Sequence, residues 1–329
     1  MRSRQIGWPG LVLLIAAAVV LIAGCGTATA GRSPARGNFA GLVAIGGGRK
    51  IYLECRGTGS PTVVLVSGLD SAADVWIGYQ ARPSLAVFAR VARFARVCAY
   101  DRPGTPVGSN LKPGRSTPVP QPTTAQDAVT DLHAVLQAAG EPGPYVLVGH
   151  SYGGLITRLY AGEHPSEIAG LVFVDAFAPE WKTAFTPRQW QILKAITGPP
   201  RPELAKYPDI ERINFDGSVA QASAAGPLRC SLPVVVVSRD TRTGPGDLGP
   251  VIAAEVAHGK LPPFVPKDFG YIDDRAWDQA QDALTRLVPG TRHIVVISGH
   301  NIQIDRPRIV AGAIHEVFRS ARQRGRTCS

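Results

Sequence analysis

The stretch Tyr145-Val-Leu-Val-Gly-His-Ser-Tyr-Gly-Gly154 constrains this chain more than any other. Tyr145 to Val148 is a short apolar run and reads as a buried strand. Gly149-His-Ser-Tyr-Gly153 is a G-x-S-x-G pentad and reads as a tight turn. Leu155 to Tyr160 then continues as a helix. A turn this sharp strains the backbone at the serine, and residues without Cβ let neighbouring chain pass close by. The hydroxyl is then held clear of the sheet at a helix N-terminus, where free N–H groups favour developing negative charge. A pentad alone recurs by chance. Between a strand and a helix it marks Ser151 as a nucleophile rather than a structural turn.

The rest of the chain alternates strands and helices around that unit. Leu42 to Ile45 and Ile51 to Glu54 read as a hairpin across Gly46-Gly47-Gly48. Thr62 to Val66 is a continuous apolar run, as expected of a strand buried on both faces. Ser84 to Arg96 reads as a helix with Leu85, Phe88, Val91 and Ala92 on one stripe. Val97 to Tyr100 is a strand, and Lys112 to Thr123 a Pro/Ser/Thr-rich surface loop. Thr124 can cap a helix with Asp127 three residues on. Val129, Leu132, Leu136 and Ala139 line that helix, with His133 beside the stripe as a surface or packing residue.

Leu171 to Val174 is a further strand. Residues 180–229 then break the alternation. Pro187 to Ile196 reads as a helix, and the stretches near Pro199 and Pro208 as irregular. Trp181, Phe185, Trp190 and Ile192 give this insertion apolar surface to bury, and a cap over an active site is its natural use. Leu232 to Val237 is a strand, Thr241 to Gly270 a Gly/Pro-rich excursion, and Ala276 to Leu287 a helix. His293 to Ile297 is the last strand, and Ile309 to Arg322 the closing helix. This order predicts one α/β domain with a mostly parallel sheet. Ligands in such sheets bind beyond the strands' carboxyl ends. Ser151, Asp175, Asp240, His300 and the loop Ser67 to Asp70 all fall there.

A serine hydroxyl needs an adjacent base. His300, just after the last strand, fits better than His150 in the turn, His164 after its helix, His258 in a Gly/Pro loop or His315 on the closing helix. The base needs a carboxylate to fix its tautomer. Asp175 and Asp240 each end a strand, and both fit the order serine, acid, histidine.

From Thr62 onward the chain resembles the α/β-hydrolase fold superfamily, in its lipase/esterase branch. The resemblance rests on Gly149-His-Ser-Tyr-Gly153, Tyr100-Asp-Arg-Pro-Gly104, and Ser298-Gly-His300 followed by Asp305-Arg-Pro307. It implies an eight-stranded, mostly parallel sheet with a cap after the sixth strand. In most relatives the acid follows the strand before the histidine, often as Gly-x-x-Asp. Here Asp240 arrives early, lacks that glycine, and sits between Arg239 and Arg242. Pancreatic-type lipases place the acid after the sixth strand, where Asp175 lies. Asp175 is therefore favoured, with Asp240 as the alternative. The resemblance also implies that the backbone N–H groups of Leu69 and Tyr152 bind an oxyanion.

The expected activity is hydrolysis of a small acyl ester, with no metal or organic cofactor. Alternatives are a peptidase, thioesterase or acyltransferase on the same residues, or a non-catalytic binder. In proline-iminopeptidase-like relatives, cap carboxylates hold a free amine. Glu180, Glu203, Asp209 and Glu211 are candidates, with solvated surface charge the simpler reading. Serine rather than aspartate at the nucleophile position disfavours dehalogenase and epoxide hydrolase chemistry.

Arg2 and Arg4, the apolar run Leu11 to Ile22, and Ile22-Ala23-Gly24-Cys25 form a secretory signal resembling a bacterial lipobox. The expected organisation is a signal over residues 1–24, lipidation at Cys25, a tether over 25–38 and a domain over 39–329. That implies an exported protein anchored in the bilayer, on the outer side of the cytoplasmic membrane. The formal charge of +10 is scattered apart from Arg319 to Arg326, and no nucleic-acid motif accompanies it. A solvated basic surface, weakly attracted to anionic lipid or cell-wall polymer, is expected. Cys55, Cys98, Cys230 and Cys328 form an even set, giving two disulfides in one of three connectivities or four buried thiols. No C-x-x-C pair suggests a metal site.

Overall fold

The computed structural model describes residues 37–78, 83–108, 112–200 and 202–327. The expected signal, Cys25, most of the tether and Cys328 lie outside these residues. Eight strands form one sheet: β1 (Phe39–Gly46), β2 (Arg49–Arg56), β3 (Thr62–Val66), β4 (Val97–Tyr100), β5 (Tyr145–Ser151), β6 (Ile168–Ala176), β7 (Val234–Arg239) and β8 (Arg292–Val296). Their spatial order is β1-β2-β4-β3-β5-β6-β7-β8. The β1–β2 and β2–β4 pairs are antiparallel, and every other pair is parallel.

Central strands buried on both faces explain the unbroken apolar runs of the sequence. Val64 and Val66 of β3 pack on one face with Leu147, Leu171 and Phe173, beneath the helices Ala125–Ala138 and Gly153–Glu163. Val63 and Leu65 pack on the other face with Val146, Val148, Val172 and Val235, against Val310, Ile314 and Val317 of the closing helix Pro307–Thr327. Thr124 and Asp127 form the expected reciprocal cap of the helix Ala125–Ala138. Among the described residues, no helix is long and apolar enough to cross a membrane.

Three sequence expectations change. The helix read over Ser84 to Arg96 shrinks to a single 3₁₀ turn, Pro83–Leu85, and a short helix, Val87–Val91. Arg96 is instead buried in a two-pronged pair with Glu141, at 2.6 and 3.2 Å, just before β4 begins. The insertion between β6 and β7 carries the helices Pro179–Thr183, Pro187–Thr197 and Phe215–Ser223, the last where irregular chain was expected. Asn214 caps that helix by accepting from Gly217, a local signal that the many prolines nearby obscure. The excursion after β7 likewise contains a helix, Gly249–Ala257. Trp181, Phe185, Trp190 and Ile192 are all buried, in the same apolar cluster as the sheet face beneath them.

Among the described residues there is one disulfide. Cys55 of β2 and Cys98 of β4 stand opposite each other in register and are bonded. Cys230 is exposed, which overturns its reading as a buried thiol, and Cys328, the partner left to it in the expected set, lies outside the described residues.

Candidate active site

Ser151 ends β5 with φ at +51°, in the left-handed region that L residues avoid. The glycines around it are required by close approach. A Cβ on Gly149 would lie 2.5 Å from the Gly153 carbonyl and 2.6 Å from Thr157 Oγ1. A Cβ on Gly68 would lie 2.8 Å from Ser151 Cβ and 3.3 Å from its Oγ. Asp70 (+53°) and Asp175 (+41°) are the other non-glycine residues at positive φ among those described. All three belong to this one site, where strained backbone commonly collects.

Asp175 reaches its position through a bulge. His150 pairs with Val174, and Ser151 with Ala176, so Asp175 has no partner in the β5–β6 ladder. Its side chain is wholly buried. Oδ2 accepts from His300 Nδ1 at 2.6 Å and from an Arg239 guanidinium nitrogen at 2.7 Å. Oδ1 accepts from Trp277 Nε1 at 2.9 Å and from the Arg239 backbone at 3.1 Å. Burial opposes the charge, but Arg239 and the bonds from His300 and Trp277 outweigh it and hold the carboxyl well below the usual carboxylate range.

Asp240, the alternative acid, does not meet His300. Its oxygens accept from the Arg242 backbone and Thr243 Oγ1, closing a local turn. The loop carrying His300 is tied by Ser298 Oγ, which donates to Asp305 Oδ2 at 3.0 Å. His150 is buried beneath it. The His300 carbonyl can only accept, so His150 Nε2 carries the proton, and Nδ1 accepts from Gln303. Burial first, and then the neighbouring His300, push the His150 pKa down to about 3.

Ser151 and His300 line one cavity of about 340 Å³, together with Leu69 and Tyr152. Among the described contacts no hydrogen bond joins the hydroxyl to the imidazole, a separation common before substrate binds. Nor, among those contacts, does the backbone N–H of Leu69 or Tyr152 have a partner.

The loop Ser67 to Asp70 is held from behind. Arg102 donates to the Ser67 and Gly68 carbonyls, each at 2.7 Å, and stacks 5.5 Å over the Tyr152 ring. Its neighbour Asp101 accepts from the Ala73 backbone. This is the physical content of the motif Tyr100-Asp-Arg-Pro-Gly104. Glu211 of the insertion closes the network, bonding Arg102 and accepting from the Asp70 backbone at 3.2 Å. Glu211 is buried, which corrects its reading as a solvated surface charge or a spare anchor for an amine. Glu180, Glu203 and Asp209 are exposed. Sequence reasoning also missed Arg239 and Trp277 as partners of Asp175, since nothing local links positions so far apart.

A mostly parallel eight-stranded sheet that raises a strained serine between β5 and its following helix is the architecture of an α/β hydrolase. The chain belongs to the alpha/beta hydrolase family, whose model matches residues 63–313. It is 25% identical over 268 residues to YqjL of Bacillus subtilis, a match covering 82% of this chain and 87% of that one. It is 40% identical over 81 residues to the uncharacterized protein C23C11.06c of Schizosaccharomyces pombe, 25% of this chain but only 14% of that relative's length. Among solved structures, a thermophilic esterase from Thermogutta terrifontis superposes with a TM-score of 0.50 at 20% identity, over 86% of this chain and 99% of the esterase. That likeness is one of fold.

Proposed function

We propose that this hydrolase cleaves carboxylic esters through Ser151, His300 and Asp175. Ser151 Oγ attacks the ester carbonyl while His300 Nε2 takes its proton. The backbone N–H groups of Leu69 and Tyr152 stabilise the oxyanion, and His300 returns the proton to the leaving alcohol. Water, deprotonated by the same imidazole, then releases the acid. Asp175 accepts from Nδ1, leaving Nε2 as the base, and stabilises the imidazolium. The observation that carries this reading is the 2.6 Å bond from His300 to a buried, ionised Asp175 beside a strained serine in the same cavity.

A fluorophosphonate probe tests it. The wild type is expected to label and Ser151→Ala is not; equal labelling of both defeats the proposal. Loss of p-nitrophenyl ester turnover in His300→Ala separates an enzyme from a binder. The same proposal sets the protein in the bacterial envelope, lipid-anchored through Cys25. Cys25→Ser is expected to move it from the membrane to the soluble fraction, and unchanged membrane association rejects the anchor.

A further inference from the structure

The cavity before Ser151 has a character that ester hydrolysis alone does not require. Phe177, Trp181, Phe215 and Trp277 supply much of its wall. Among the described residues its charged lining consists of Asp70, Asp273, Arg239 and, when protonated, His300. Arg239 has its charge taken up elsewhere. Its guanidinium is bonded to Asp175 at 2.7 Å, Asp274 at 3.4 Å and the Gly246 carbonyl at 3.3 Å. Among the described contacts no cation is hydrogen-bonded to Asp273, and Arg239 and His300 reach it only through their fields. Oδ1 accepts from Trp181 Nε1 at 2.8 Å, and among the described contacts nothing donates to its other oxygen.

Burial pushes the Asp273 carboxyl up to about 6, despite the Trp181 bond and the fields of Arg239 and His300. At neutral pH it is therefore ionised at an energetic cost that a cationic ligand relieves. Aromatic faces beside a carboxylate attract ammonium groups, and the attraction grows where water is excluded.

We infer that this cavity selects substrates bearing an ammonium group, with Asp273 as the specificity-determining charge and the surrounding aromatic rings as its cage. The inference rests on the esterase reading of the same cavity. The acyl or alkoxy chain that lies against Ser151 would place its cation against Asp273, beside the aromatic wall in which Trp181 and Trp277 touch edge to face, 4.8 Å between ring centroids. A purely structural role for Asp273, anchoring the insertion through Trp181, would give no preference between a cationic substrate and its neutral isostere.

The test compares butyrylthiocholine with 3,3-dimethylbutyl thiobutyrate, which replaces the quaternary nitrogen by carbon. The ratio of kcat/KM, cationic over neutral, is expected to be about tenfold in the wild type, the size of one partly desolvated cation contact. In Asp273→Asn it is expected near one. Asparagine keeps an oxygen to accept from Trp181, so the anchor survives. A wild-type ratio near one, or a ratio that Asp273→Asn leaves unchanged, overturns the inference.

Tetramethylammonium binding, followed by quenching of tryptophan fluorescence, reads the site without turnover. Saturable quenching by tetramethylammonium, absent with neopentyl alcohol, supports the cage even if neither thioester is cleaved, in which case only the esterase reading falls. No saturable quenching overturns the cage whatever the turnover.

Discussion

Glu211 and Arg102 form a buried ion pair, with Arg102 Nε 2.7 Å and its terminal nitrogen 3.0 Å from the carboxylate oxygens. The two residues are far apart in sequence, one in the insertion and one after β4. Between them they hold the Ser67 and Gly68 carbonyls and the Asp70 backbone. The insertion is thus bolted to the loop that presents Leu69.

Breaking this pair from one side strands a charge. Glu211→Gln is expected to lower stability by about 3–5 kcal/mol, as loss of one partner of a buried pair does. Urea unfolding measures it. Ester turnover is expected to fall in kcat more than KM rises, because the loop loses its support. Wild-type stability and turnover would remove the pair from the site.

The acid assignment separates two aspartates. Asp175→Asn is expected to cut kcat by about 10⁴-fold, through loss of the imidazole's tautomer and charge partner. Asp240→Asn is expected to leave kcat near wild type, since Asp240 only closes its own turn. The reverse pattern in steady-state kinetics would exchange their roles.

Gly68 is expected to resist even a methyl group. Gly68→Ala puts a carbon 2.8 Å from Ser151 Cβ, so the serine or the loop must shift. Misplacement of about 1 Å costs on the order of 100-fold in rate. Fluorophosphonate labelling should slow by a comparable factor, while circular dichroism still reports a folded sheet.

His150 sets an acid limit on stability. Its folded pKa is depressed to about 3, so the unfolded chain takes up the proton first, near the ordinary 6.5. The neutral imidazole's contribution is complete above about pH 6.5 and is lost as pH falls toward 3. His150→Gln, which keeps an amide donor for the His300 carbonyl, should flatten that part of the stability-versus-pH curve. An unchanged slope in urea unfolding between pH 6.5 and 4 would contradict it.

Much of this protein was legible along the chain because its signals are local. Apolar runs without alternation announce strands buried on both faces, as Thr62–Val66 does. The close approach of Gly149 to Gly153 and Thr157 follows from the pentad and the helix after it. Thr124 and Asp127 announce a cap within four residues. Ser151 and His300 could be picked out because each follows a recognisable strand.

Tertiary structure decided the rest. Asp175 and Asp240 each end a strand, and the sequence favoured Asp175 only through a resemblance. The bulge in β6 and the 2.6 Å approach of the imidazole are what bring Asp175, and not Asp240, to His300. Glu211 could not be told from its exposed neighbours, because burial of a charge depends on a guanidinium brought from 109 positions away. Hydrophobic periodicity and turn chemistry act over a few residues, so a sequence displays them. Charge pairing and cavity walls arise where distant segments meet, and they exist only once the sheet has brought those segments together.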